Sequence, residues 1–150
     1  MIPWILLDRA QVPGGGGEIC LYRRGGAFSI RVDGSELMNS RLHGSEEAMA
    51  ELACARIAPL PSPRVLIGGL GMGYTLAAAL NQLGAASRVV VAELIPAVVA
   101  WNRGPLAALA GHLSRTTGSR FEKPTSRNYS RRNSGPTMPS CWTWTTAPGA

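Results

Sequence analysis

Lysine is almost missing from this chain: Lys123 is the only one among 150 residues. Residues 1–112 set nine arginines against eight acids, while residues 113–150 carry five arginines and Lys123 against Glu122 alone. The basicity behind a pI near 10.0 therefore sits in the last quarter. Nucleic-acid recognition wants its positive charge on a folded face or groove, so nucleic acid is not an expected partner. Cysteine is scarce as well. Cys20, Cys54 and Cys141 lie far apart with no CxxC pair, and His43 and His112 have no partners at ligand spacing. Neither a disulfide scaffold nor a zinc site is expected, nor any other metal. No apolar run reaches the length of a membrane span. The start, Met1 to Asp8, is apolar but short and lacks a cationic leader, so it does not read as a signal peptide. The expectation is a cytoplasmic protein with no membrane partner.

What is present is organised in blocks. An apolar share of 45% permits a real core, and the length suits one domain or one domain with a small appendage. Gly14 to Gly17 is a run of four glycines with no helix start behind it. It reads as a flexible connection rather than a phosphate loop. Glu18 to Tyr22 alternates around Ile19 and Leu21, and Phe28, Ile30 and Val32 share one face of a second run. Arg23 to Gly26 suits a hairpin between them, Asp33-Gly34 is a second turn signal, and Ser35 to Asn39 is a third strand candidate. Residues 1–43 are expected to form a small antiparallel β unit. Residues 44–63 read as a helix and a linker. Ser45 is its expected N-cap, Glu46 and Glu47 complement the helix dipole, and Met49, Leu52, Ala53 and Ile57 recur at helical spacing. Pro59, Pro61 and Pro63 end the helix and stiffen the linker.

Residues 64–112 are the most regular. Val65-Leu66-Ile67 and Val89 to Ala92 are short apolar runs of the kind found in parallel strands buried on both faces. Between them lie Gly68 to Gly73 and the helix-forming stretch Tyr74 to Leu83; Pro96 then opens another helix. Strand, glycine turn, helix, strand, acid, helix is a βαβα unit, the N-terminal half of a Rossmann-like nucleotide-binding α/β fold. Gly69, Gly71 and Gly73 let a strand turn sharply into a helix while its backbone approaches a ligand. Glu93, twenty residues after Gly73, ends the neighbouring strand, where its carboxylate can accept both hydroxyls of a ribose. A dinucleotide motif would place its third glycine where Tyr74 stands. The GxGxG spacing fits class I methyltransferases and their relatives better and leaves NAD as the second choice. The structural alternative is a tight turn in a fold that binds nothing.

The stretch Arg64-Val65-Leu66-Ile67-Gly68-Gly69-Leu70-Gly71-Met72-Gly73-Tyr74-Thr75-Leu76, continued by Val89-Val90-Val91-Ala92-Glu93-Leu94, resembles the spermidine-synthase-like family. The resemblance covers roughly residues 18–110. It implies transfer of an aminopropyl or methyl group from an S-adenosyl donor to a small-molecule nucleophile. The cofactor would be S-adenosylmethionine or decarboxylated S-adenosylmethionine, held by Gly69, Leu70, Gly71, Met72, Gly73 and Glu93, in a homodimer. The family's aminopropyltransferases have an aspartate inside a longer glycine motif, and Met72 stands at that position. Glu51 matches a glutamate on their preceding helix, but Met49 and Ala50 replace its aromatic and polar neighbours. No catalytic residue is assigned.

Residues 113–150 contain no Val or Ile, thirteen Ser or Thr and four Pro, and show no strand or helix period. They read as disordered. A shift of reading frame near His112 is the expected origin of this segment. When Thr137 to Thr145 is read from each third codon base, an Ala, a Leu and two Asp are forced, within an apolar strand ending Asp-x-Asp. In the resembled family an aspartate at the fourth strand meets the amine substrate. An impaired transferase is therefore expected. The alternatives are a non-catalytic nucleotide-binding or interaction protein, an NAD-binding fragment, or a native basic tail contacting RNA through Arg131, Arg132, Trp142 and Trp144.

Overall fold

Period-two patterning dominates the first forty residues. The computed structural model, which describes residues 2–111 and the strand at 142–145, turns them into an antiparallel meander. Its strands, in spatial order, are β1 (Ile5–Gln11), β2 (Glu18–Arg24), β3 (Ala27–Val32) and β4 (Ser35–Asn39). β2, β3 and β4 lie where alternation and turn residues place them. Val32 pairs with Ser35, so Asp33 and Gly34 alone make the β3–β4 turn, with φ of +48° and +83°. Both central residues at positive φ match the twist of a two-residue hairpin. Asp33 also accepts the Glu18 N–H at 2.9 Å and donates its own N–H to the Glu18 carbonyl at 3.0 Å.

β1 is not foreseen from the sequence. Ile5, Leu6 and Leu7 are consecutive and 58%, 38% and 41% exposed, and the pairing with β2 slips between Leu6 and Asp8. A bulge on an edge strand breaks the in-out alternation that sequence reading depends on. The four glycines connect β1 to β2, and the Val12 N–H bonds the Gly17 carbonyl at 2.9 Å.

α1 (Gly44–Ala55) carries Glu46 and Glu47 in its first turn, as their dipole role predicts. Two expectations for it fail. The N-cap is His43, without a side-chain cap, because the Ser45 hydroxyl is spent on the Glu46 carboxylate at 2.6 Å. The buried positions are Ala50 and Cys54, while Met49 and Leu52 are 58% and 74% exposed. Small side chains let α1 lie close to its neighbours, and the larger apolar ones face out.

The second unit runs β5 (Arg64–Gly68), α2 (Tyr74–Gln82), β6 (Arg88–Ala92) and α3 (Pro96–Arg103). β5 and β6 are parallel, in register from Arg64–Arg88 to Gly68–Ala92. Burial on both faces is not realised. Ile67, Val89 and Val91 are buried on one side, whereas Leu66 on the other is 60% exposed. Val90, beside Leu66 on that second side, is only half-buried. β7 (Trp142–Thr145) adds to β6 antiparallel, Val91 opposite Trp142. A strand therefore exists inside the segment that shows no strand period, and β6 is paired on both edges rather than left as an open edge. The other residues of 112–150, His112 and Cys141 among them, lie outside the described residues.

The chain is thus a mixed α/β protein with a four-stranded antiparallel sheet and a parallel pair. One apolar cluster joins Ile19, Leu21, Phe28 and Ile30 of the meander to Cys54, Leu76, Val89, Val91, Val99 and Trp101. The Trp101 indole N–H donates to Asp8 at 2.7 Å, fastening α3 to the edge strand β1. Among the described residues no helix is long and apolar enough to cross a membrane, and no three His, Cys, Asp or Glu side chains gather as metal ligands. Cys20 and Cys54 are free thiols, and burial raises both above the ordinary thiol value.

Candidate functional site

The glycine turn sits at the C-terminal end of β5. Its backbone alternates into the left-handed region, with φ of +83° at Gly69, +53° at Gly71 and +84° at Gly73. The Gly69 N–H continues the sheet by donating to the Ala92 carbonyl at 2.7 Å, and the Gly73 N–H closes the turn on the Leu70 carbonyl at 2.9 Å. Gly73 then caps α2, its carbonyl accepting the first helical bond from Ala77 at 2.9 Å.

The glycines face different surroundings. A Cβ built on Gly68 or Gly69 meets no atom within 4 Å, so the strand end opens to space. A Cβ on Gly71 would lie 2.8 Å from the sulfur of Met38 on β4, so there the missing side chain serves close packing. Leu70 and Met72 are 6% and 0% exposed. Their side chains are core, and whatever they offer a ligand comes from their backbone. Met72 also supplies no carboxylate where the resembled aminopropyltransferases carry one.

Glu93 stands just past the end of β6, where parallel register sets it beside the turn. It is 7% exposed. One carboxylate oxygen accepts the Leu70 N–H at 2.7 Å, inside the glycine turn, and the other accepts the Ile95 N–H at 2.8 Å, at the cap of α3. Burying a carboxylate is costly unless it is hydrogen-bonded, and these two amides are the compensation.

The chain matches no protein-family model and no curated protein. The functional reading accordingly rests on the geometry of the turn.

For three neighbours of the turn the sequence predicts no contact with it. Asn102, on α3, donates from its side-chain amide to the Gly71 carbonyl at 2.7 Å and to the Val98 carbonyl of its own helix at 2.9 Å. A polar residue four positions after Val98, on the face that also buries Val99, is the signal that would have found it. Met38 touches the turn from a strand whose pattern says nothing of reach. Tyr74 is buried, stacks on His43 with centroids 4.2 Å apart and donates to the Ser40 carbonyl at 3.3 Å. Burial raises its hydroxyl above the ordinary phenol value, and Glu47 and Glu46 add to that. The acids away from the turn have other work. Asp33 serves its hairpin, Glu46 holds Ser45, and Glu47 lies 3.0 Å from His43.

Proposed function

We propose that this chain binds an S-adenosyl donor through a Rossmann-like half-domain of the class I methyltransferase and spermidine-synthase-like type. The donor is S-adenosylmethionine or its decarboxylated form, and the reaction class is methyl or aminopropyl transfer to a small-molecule nucleophile. One observation carries the reading: the buried carboxylate at the end of the second parallel strand is bonded into the glycine turn at the end of the first, at 2.7 Å.

The donor's sulfonium makes its neighbouring carbon electrophilic. Everything else falls to the chain, whose task is to bind and orient. Gly68 and Gly69 leave the strand end clear of side chains. Glu93 offers a fixed acceptor for ribose hydroxyls, held in place by the Leu70 and Ile95 amides. Among the described residues no second carboxylate stands at the turn to take a proton from the incoming nucleophile. Impaired transferase activity is the behaviour expected of the chain.

The test is isothermal titration of the full chain with S-adenosylmethionine, decarboxylated S-adenosylmethionine and NAD, after circular dichroism has shown it folded. Heat of binding is expected with an adenosyl donor and not with NAD. A folded chain that binds neither donor refutes the assignment, and binding of NAD alone moves it to the dinucleotide class.

A further inference from the structure

We infer that Asn102 is a positioning residue for the glycine turn, retained for ligand binding at the expense of stability; the inference rests on the adenosyl-donor reading. Asn102 is 6% exposed on the inner face of α3. Its two amide hydrogens go to the Gly71 and Val98 carbonyls at 2.7 and 2.9 Å. Its Oδ1 is fully buried, with no hydrogen-bond partner among the described residues. A buried amide oxygen left unpaired is unfavourable, and native proteins seldom tolerate one. The amide cannot escape by flipping, because that would set Oδ1 against two carbonyl oxygens.

The unpaired oxygen accompanies a hold on Gly71, and Gly71 is where a hold matters. Four glycines in six residues, Gly68 to Gly73, give the turn many accessible backbone states when it is not held. Its peptides are tied at Gly69, Leu70 and Gly73. The carbonyl of Gly71 is held by Asn102 alone among the described residues. A ligand that binds only the ordered turn loses affinity in proportion to the fraction of chains in which the turn is ordered. Asn102 raises that fraction.

Asn102→Leu separates this role from a structural one. Leucine is close in size, removes the unpaired oxygen and favours the helix, so the melting temperature is expected to hold or rise. Binding of S-adenosylmethionine is expected to weaken by up to about tenfold, the most that one lost hydrogen bond can take from turn order. Asn102→Asp supplies a second readout. An ionised carboxylate cannot donate to Gly71, whereas the protonated acid can, so its binding should recover as the pH is lowered while wild-type binding does not.

Both variants are compared with wild type by isothermal titration of the full chain, at a temperature where all three are folded. Unchanged affinity in Asn102→Leu with a lower melting temperature would mean that Asn102 is a structural peg, and would overturn the inference while leaving the donor assignment standing. Affinity in Asn102→Asp that stays low at every pH overturns it as well. Wild type that binds no S-adenosylmethionine sinks the donor reading and, with it, the role assigned to Asn102.

Discussion

Glu93 joins three elements through one side chain, and its removal should be felt as stability before function is considered. Glu93→Ala deletes the acceptor of the Leu70 N–H at 2.7 Å and of the Ile95 N–H at 2.8 Å. Hydrogen bonds to charged groups contribute about 1.5–3 kcal/mol each, and the buried amides left behind keep their desolvation cost. The two bonds share one carboxylate and do not add fully. A loss of about 3–5 kcal/mol is expected, a large part of the roughly 5–15 kcal/mol that holds a domain folded. Glu93→Gln keeps one oxygen but points an amide donor at a backbone N–H, so it should lose about half as much. Urea unfolding followed by circular dichroism measures both, with the midpoint falling and the slope unchanged. Amide exchange at Leu70 locates the effect, since opening of the turn exposes that proton first. If Glu93→Ala unfolds within about 0.5 kcal/mol of wild type, below the value of even one ordinary hydrogen bond, the carboxylate is not the clasp described and the reasoning from burial to bonding is wrong.

Trp101→Phe removes the indole donor to Asp8 and leaves a smaller ring in a fully packed site. A loss of about 2–4 kcal/mol is expected by thermal or urea unfolding; a change below that of a surface substitution would show that β1 is not fastened through this bond. Glu36 is held below the ordinary glutamate value, first by the Ser29 hydroxyl and then by the Asn39 amide. A lowered folded value stabilises above the ordinary glutamate range, and the contribution is lost as the pH falls through the depressed value. Glu36→Gln should therefore flatten the acid limb of stability against pH by less than about 1 kcal/mol, since the group is exposed. A variant whose acid limb superimposes on that of wild type contradicts the assignment.

Legibility in the sequence followed the reach of the forces involved. The β2–β4 meander was readable because alternation and the Asp33-Gly34 turn are local, and so were the glycine turn, the helix after it and the place of Glu93. The inward face of α1 was not. Helical spacing favours Met49 and Leu52 as the buried row, but close approach to neighbouring elements selected Ala50 and Cys54 instead. Likewise the apolar run Val65-Leu66-Ile67 says that a strand forms there, not how many layers cover it, and Leu66 is exposed. Asn102 escaped notice because its meaning depends on a carbonyl 31 residues away. The donor class still rests on spacing and on one carboxylate.

The bond between Asp8 and Trp101 spans 93 residues. On a ribosome adding about 5–20 residues per second, the first strand waits roughly 5–20 s for its partner helix to be made. During that interval β2, β3 and β4 can pair among themselves, while Ile5, Leu6 and Leu7 stand at an edge with no helix yet to fasten them. The clasp between the first strand and α3 can therefore form only late in synthesis, once the indole has been made.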